Sequence, residues 1–208
     1  MVLLAIDLSG EAAQVALSAQ GREIVTRVFK NDRQVAAALP QSMNELLDEA
    51  NAMWSDVEGI IYVRGPGRFS GLRLAAGFAH ATAHSKSIVV KSASALLCLA
   101  IQGREAHPNA KRIAARLSAG QDGSWYVGVF QYAGGQWQVI LEPEHMADHP
   151  DMEDIDLWVG SVGELMQPSF VCVSDVSTLL RHFDHFDPCR SIYDIKLDYL
   201  KKNLYKPN

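Results

Sequence analysis

Residues 62–73 read Tyr62-Val63-Arg64-Gly65-Pro66-Gly67-Arg68-Phe69-Ser70-Gly71-Leu72-Arg73. The apolar, β-branched run 59–63 predicts a buried strand, and the Ala- and Gly-rich run 70–84 predicts a helix. Pro66 fixes its own φ and has no N–H to donate, while each glycine permits positive φ, so the strand must end in a tight turn. Ser70 is a candidate N-cap of the helix. We therefore expect Gly65, Pro66, Gly67 and Gly71 to be structural residues of a strand–turn–helix unit.

The segments around this unit predict an α/β protein. Three strand-like runs, at 2–8, 12–19 and 22–29, precede a helical stretch at 33–53, in which Pro40 predicts a kink or a late start. A strand at 88–90 and a helix at 93–102 follow the turn. Three consecutive strands followed by alternating helices and strands are typical of a ribonuclease-H-like lobe.

The second half of the chain restarts with strands after a turn signal at residues 103–109. A strand is expected at 111–117, a hairpin at 125–132 and 136–141, further strands at 157–159 and 170–173, and a helix at 176–183. The acidic, proline-bearing segment 142–156 predicts a loop with little regular structure. We therefore expect a first lobe at 1–103 and a second, smaller and divergent lobe at 104–208.

Composition narrows the classes of protein to which the chain can belong. Of 208 residues, 48% are hydrophobic and 21% charged, which indicates a globular protein. The net charge of −5 argues against binding nucleic acid unaided, because such binding needs a basic face. Three widely spaced cysteines predict a reduced, cytosolic protein. We expect neither a membrane span nor a signal peptide.

Asp7 is the first candidate for chemistry, because it ends the first predicted strand. An acid at this place helps to hold magnesium and phosphate in ATPases of the actin and hexokinase type. Such a site also needs an acid at the start of the second lobe and a glycine pair that binds adenosine. The first acid in the second lobe is Asp122, and residues 160–163 resemble the glycine pair only weakly. We therefore do not expect ATP hydrolysis by this chain alone, and capping its own turn is the simpler role of Asp7.

Other catalytic and metal-binding patterns are weak. His80 and His84 stand four apart on the predicted helix and could share a metal, but that helix offers no acid as a further ligand. His145 and His149 repeat the spacing in a predicted loop. No serine lies in a G-x-S-x-G elbow, and the cysteines are expected to be buried. We predict no catalytic, cofactor-binding or metal-binding residue.

The two helices of the first lobe are the strongest candidates for a functional surface. Small residues surround the axis of helix 70–84, so that neighbours could approach it closely on two sides. One neighbour should be the sheet, and the other is either helix 33–53 of the same chain, which would bury the helix in the core, or a helix of another chain. Helix 33–53 carries apolar residues outside its main stripe, such as Ala36 and Leu47. We predict a partner interface made of Leu39, Met43, Leu46, Leu47, Leu72, Ala75, Ala76, Phe78, Ala79 and Thr82. Two such helices could present about 800 Å² to a partner.

Three stretches resemble the TsaB/YeaZ family: the opening L-L-A-I-D, the G-P-G-R-F-S-G-L-R turn and helix, and the closing D-Y-L-K-K. In that family the turn reads G-P-G-S-F-T-G-x-R. The resemblance covers most of residues 1–100 and is sparse beyond them until the tail. It implies an actin-like ATPase fold with two ribonuclease-H-like lobes and mixed sheets flanked by helices.

The resemblance also implies a function. Members act as a non-catalytic dimerisation scaffold for the catalytic subunit TsaD, which with the ATPase TsaE forms threonylcarbamoyladenosine in tRNA. It implies a homodimer when the chain is alone, pairing with TsaD through the two first-lobe helices, and contact with tRNA only within the complex. No cofactor is expected on the chain alone, although ATP or ADP could lie at an interface shared with the partner.

Several positions depart from the family pattern. Leu117-Ser118-Ala119 stands where the family has Asp-Ala-Arg, Arg68 replaces a small polar residue, and Lys201 replaces an arginine. These departures concern contacts of the second lobe rather than the fold. The alternative reading is a small ATP- or metal-dependent enzyme of the same fold, a kinase or a metallopeptidase, that uses Asp7 with Asp122 or His80 with His84.

Overall fold

The computed structural model describes residues 1–84, 88–120, 123–147, 152–160, 169–171, 174–186, 188–189 and 197. They form two compact units. One contains the described residues of 1–94 and 175–197, and the other contains those of 95–174. None of the described helices has the length and hydropathy that a membrane crossing requires.

The first unit is a five-stranded mixed sheet with helices on both faces. Its strands are β1 (Val2–Asp7), β2 (Ala12–Ala19), β3 (Val25–Lys30), β4 (Val57–Gly65) and β5 (Val89–Ser94), in the order β3-β2-β1-β4-β5. β1 pairs antiparallel with β2 and parallel with β4. Helices α1 (Val35–Glu49) and α2 (Phe69–His84) contribute to one core with the alternate residues of β1, Val2, Leu4 and Ile6.

The opposite face of this sheet is also covered. Leu3 and Ala5, which alternate with the core residues of β1, are buried. Helix α4 (Ser177–Arg181), followed by the 3₁₀ turn Phe183–His185, packs against β1, β2 and β4. The phenyl ring of Phe183 fills the space beside Gly59, where a Cβ atom would come within 2.5 Å of it. This late segment therefore completes the first unit.

The second unit repeats the strand order of the first. It contains α3 (Ala95–Ala106), β6 (Arg112–Ser118), β7 (Trp125–Ala133), β8 (Gln136–Met146), β9 (Leu157–Gly160) and β10 (Ser169–Val171), with the sheet order β10-β9-β6-β7-β8. β6 pairs antiparallel with β7 and parallel with β9, as β1 does with β2 and β4. The repeated arrangement of two mixed sheets is that of the actin-like ATPase fold, as the sequence predicts.

Several local expectations were wrong. β8 continues to Met146, which pairs with Trp125, so the expected loop at 142–156 begins with strand. α1 begins at Val35, before Pro40, rather than after it. α2 begins at Phe69 and the amide of Leu72 bonds to the carbonyl of Arg68, so Ser70 lies inside the first turn and is not the N-cap.

Candidate partner interface

The turn after β1 and the glycine turn before α2 are interlocked. The amide of Arg68 donates to the carbonyl of Ser9 at 2.8 Å. A Cβ atom on Gly67 would lie 2.5 Å from the same carbonyl oxygen, and one on Gly71 would overlap the carbonyl of Leu8. Gly65 adopts a φ of +128°, which favours glycine. Glycine is therefore required here by backbone conformation and by close contact between two turns.

Asp7 belongs to this interlocked pair of turns. The residue is 3% exposed, and its carboxylate accepts hydrogen bonds from the amide of Ser9 at 2.9 Å and from the Ser9 hydroxyl at 2.6 Å. The side-chain amide of Asn31 donates to the carbonyls of Leu8 and Gly10, both at 2.8 Å. Asp7 thus caps its own turn, which is the simpler of the two roles considered for it. Asp122, the second acid of an ATPase site, lies outside the described residues.

His80 and His84 do not share a surface. The Nε2 atom of His80 lies 3.4 Å from the hydroxyl of Tyr62 in the core, whereas His84 is exposed. Burial, followed by the nearby thiol of Cys189, raises the pKa of Tyr62, so the phenol stays neutral. The described residues contain no cluster of three or more His, Cys, Asp or Glu side chains that could hold a metal ion. His149 lies outside the described residues.

Most of the residues assigned to a partner interface are buried inside the first unit. Leu39, Met43, Leu46 and Leu47 on α1, and Leu72, Ala75, Ala76 and Ala79 on α2, are at most 3% exposed. Phe78 and Thr82 are half-buried. The residue assignment needs correction, because a helical stripe of apolar side chains packs first against its own sheet. The assignment of an interface to the two helices stays a prediction, and it concerns their outward faces.

The outward face of α2 combines small residues with an aromatic ring and a guanidinium group. Arg73, Gly77 and Ala81 are exposed and stand four residues apart, so they lie on one side of the helix. A Cβ atom on Gly77 would meet no atom within 4 Å. Phe69, at the start of the helix, is 47% exposed, and the guanidinium of Arg73 lies 5.2 Å from the centre of its ring. This surface lets another backbone approach closely, beside one aromatic ring.

Within the described part of the chain, no close contact explains why position 77 is a glycine. A glycine in a helix interior costs about 0.5–1 kcal/mol relative to alanine. The chain has room for a side chain there, unlike at Gly67 or Gly71. Arg73, Gly77 and Ala81 were not among the residues predicted for the interface. Once positions 72, 75, 76 and 79 are placed in the core, a rotation of 100° per residue puts 73, 77 and 81 on the outside.

The outward face of the second half of α1 is polar and acidic, whereas Ala36, Ala37 and Pro40 are exposed in the first half. Gln41, Glu45 and Asp48 are exposed, and the amide of Gln41 donates to the carboxylate of Glu45 at 2.9 Å. Glu49 pairs with Arg27 of β3. The two helices thus offer different surfaces, of which α1 carries negative charge and α2 carries small residues.

An aromatic contact joins the end of the α1 segment to α2. The indole of Trp54 donates to the side chain of Asn44 at 2.8 Å, and its ring centre lies 6.3 Å from that of Phe78. Met53, next to Trp54, is 67% exposed. Half-buried aromatic rings beside an exposed methionine give this part of the surface an apolar character, which is typical of protein interfaces.

The chain resembles known proteins in sequence and in structure. Residues 28–153 match the family model described as "TsaD: tRNA N6-adenosine threonylcarbamoyltransferase". Proteins named tRNA threonylcarbamoyladenosine biosynthesis protein TsaB are 26% identical over 149 residues in Bacillus subtilis (strain 168) and 28% identical over 150 residues in Escherichia coli (strain K12). These matches cover 70% and 69% of this chain. The chain spans 62% and 64% of the length of these relatives.

Solved structures agree with these matches. A structure described as YeaZ from Pseudomonas aeruginosa superimposes with a TM-score of 0.78 at 25% identity, over 96% of this chain and 99% of that one. A second, described as an uncharacterized protein with similarity to peptidase YEAZ from Pseudomonas aeruginosa, superimposes with a TM-score of 0.74 at 26% identity, over 90% of this chain and 94% of that one. The chain therefore belongs to the TsaD domain family and, within it, to the TsaB/YeaZ group.

Proposed function

We propose that this chain is a non-catalytic subunit that binds a TsaD-like catalytic subunit and supports the formation of threonylcarbamoyladenosine in tRNA. The observation that carries the proposal is the outward face of α2, where Gly77 lacks a side chain at a position open to solvent. Membership of the TsaB/YeaZ group supports the identity of the partner. In this proposal the chain contributes a surface and no reacting group.

The small residues on the outward face of α2 favour a partner that contacts it through a helix. Without a Cβ atom at Gly77, and with only a methyl group at Ala81, the axis of a partner helix can approach α2 more closely than the usual 8–10 Å. Phe69 and Phe78 flank this stripe and can pack against apolar side chains of such a helix. Close backbone approach and aromatic anchors together favour a specific contact.

The charge of α1 supports a partner with basic side chains. Glu45 and Asp48 are exposed on its outward face, and a complementary lysine or arginine would steer association. Exposed charges at the edge of an interface mainly change the association rate and its dependence on salt. We expect the association rate with the partner to fall as ionic strength rises.

The hydrogen bonds that Asp7 accepts within its own turn support a non-catalytic role for the chain. A carboxylate that would hold magnesium must present its oxygen atoms to the ion, but one oxygen of Asp7 accepts two hydrogen bonds from Ser9 and the side chain is buried. The glycine turn packs against the same loop at Ser9. The loop is therefore organised for packing between two turns rather than for cradling a phosphate.

The remaining parts of the proposal follow from the family. The chain forms a homodimer when alone, works with a TsaE-like ATPase beside the TsaD-like subunit, and meets tRNA only within the complex. It binds no cofactor alone, and ATP or ADP lies at an interface shared with the partner. We place it in the cytoplasm.

Copurification tests the proposal. The chain and the TsaD-like protein of the same organism, expressed together, should elute as one species in size-exclusion chromatography with light scattering. The isolated chain should not release phosphate from magnesium–ATP. Separate elution of the two proteins at micromolar concentration, or ATP turnover that an Asp7→Asn substitution abolishes, would contradict the proposal.

A further inference from the structure

Two histidine side chains converge on the surface of the first unit, away from α1 and α2. His182 precedes the 3₁₀ turn Phe183–His185, and His185 ends it. Residues three apart in such a turn stand one above the other. The Nδ1 atoms of His182 and His185 lie 3.2 Å apart, and the ring centres are separated by 5.4 Å. The two nitrogen atoms are therefore within hydrogen-bonding distance of each other, and the tautomers decide which of them donates.

This separation fits two ligands of one metal ion. Zn–N bonds of about 2.05 Å at a tetrahedral angle place two ligand nitrogens about 3.3 Å apart. Neutral imidazole is a good ligand for zinc, nickel and copper, and either ring nitrogen can bind. His185 is exposed and His182 is partly exposed, so an ion in water can reach them. An ion bound by the pair would replace the hydrogen bond between the two rings and the proton that it holds, and water would complete the coordination.

The backbone that carries the pair is held on both sides. The amide of His182 donates to the carbonyl of Thr178 at 3.1 Å, and the amide of His185 donates to the carbonyl of His182 at 2.9 Å. Between them, the ring of Phe183 packs at Gly59. After them, Phe186 is 6% exposed. Anchors of this kind reduce the entropy lost when two side chains bind one ligand.

The charged groups around the turn, among the residues that the structure describes, do not block a cation. The guanidinium of Arg181 is engaged by the hydroxyls of Ser177 and Thr178 and by the carboxylate of Asp175. The ammonium of Lys91 donates to the carbonyl of Phe183 at 2.9 Å and lies over its ring at 4.4 Å. Asp184, between the two histidines, is exposed and adds a negative charge. Both cations are thus held by other groups, and the acid favours a bound cation.

We propose that His182 and His185 form a surface site for a first-row divalent transition-metal ion, with Zn²⁺ as the ion used to test it. Binding requires both Nδ1 atoms to be unprotonated, and it fastens the end of α4 to the turn that follows. An ion that binds the folded chain through two residues of this turn raises the free energy of unfolding with the logarithm of its concentration over Kd. The site is independent of the proposed partner interface.

Calorimetric titration of the untagged full-length chain with Zn²⁺ alone tests the proposal. One ion per chain should bind with micromolar affinity. His185→Ala and His182→Ala should each weaken Kd by at least about tenfold, since loss of a group that only supports a ligand already costs about 10–100-fold. His84→Ala, a single exposed histidine on α2, is the matched control and should leave Kd unchanged. Failure to bind Zn²⁺, or equal binding by all variants, would overturn the proposal.

A second measurement on the unmodified chain covers the case in which a variant does not fold. Diethyl pyrocarbonate labels accessible imidazoles, and mass spectrometry locates the label. Zn²⁺ should protect His182 and His185 together from the reagent while His84 remains reactive. Labelling of both histidines that Zn²⁺ does not slow would overturn the proposal.

Discussion

A glutamine at position 77 should separate the stability of the chain from its ability to bind a partner. The position lies on the outward face of α2, and nothing lies within 4 Å of the place where a Cβ atom would stand. Glutamine is among the good helix formers, whereas glycine in a helix interior costs up to about 1 kcal/mol relative to alanine. We therefore expect Gly77→Gln to fold and to be slightly more stable than the natural chain.

The expected gain can be estimated from helix propensity. Replacing glycine with a good helix former contributes about 0.5 kcal/mol, which corresponds to a rise in Tm of roughly 1–2 °C for a chain of this size. At the proposed interface, the same side chain would push a partner helix away from α2. Overpacking of a close contact costs about 1–3 kcal/mol, so Kd should rise by roughly 5- to 150-fold.

The assay pairs thermal unfolding with calorimetric titration of the TsaD-like subunit. Ala106→Gln is the matched control, because it adds the same side chain at an exposed helical position of α3 in the second unit. The control should leave Kd unchanged. A Gly77→Gln variant that binds the partner as tightly as the control would refute the assignment of α2 as the interface.

Three further predictions concern the turns and the second unit. Gly71→Ala should lower the free energy of unfolding by about 2 kcal/mol or more in urea titrations, because its methyl group would overlap the carbonyl of Leu8; unchanged stability would mean that the two turns separate easily. Asn31→Ala should cost about 1–3 kcal/mol, because its amide holds the carbonyls of Leu8 and Gly10, whereas Asn109→Ala, at an exposed position, should cost much less. Hydrogen bonds from the amides of Arg112 and Lys111 hold the pKa of Asp156 below its ordinary value. The stability that it contributes is present above the unfolded pKa of about 3.9 and is lost as pH falls through the lower folded pKa. Urea titrations at several pH values should therefore find that the free energy of unfolding of Asp156→Asn depends less on pH in the acid range. At pH 7 the variant should lose about 0.5–1 kcal/mol of that free energy, as expected for an exposed group. A pH profile identical to that of the natural chain would contradict the role of Asp156.

The architecture could be predicted because its signals are local. The glycine turn needs residues without a Cβ atom, because the carbonyls of Leu8 and Ser9 lie directly against it. The alternation of β1 and the helical stripe of α1 are likewise encoded by nearby residues. Cross-strand pairing is not local, which is why β8 was expected to end before Met146, although its pairing with Trp125 extends the strand.

The surface could not be predicted in the same way. An apolar helical stripe indicates burial, but it does not say whether the chain's own sheet or another protein covers it. Leu72 and Ala79 were assigned to a partner and lie in the core, while Gly77 on the opposite side was not chosen. The pair His182 and His185 was also missed, because its geometry depends on a 3₁₀ turn held by Phe183 and Phe186.

Hydrogen–deuterium exchange of the chain with and without the TsaD-like subunit tests the central claim most directly. Mass spectrometry should find that exchange slows in peptides from 69–84 and 35–49 when the partner is bound. Peptides from the second-unit helix 95–106 should exchange at the same rate in both samples. Slower exchange confined to the second unit, with no change in 69–84, would contradict the claim that the chain works through the outward faces of α1 and α2.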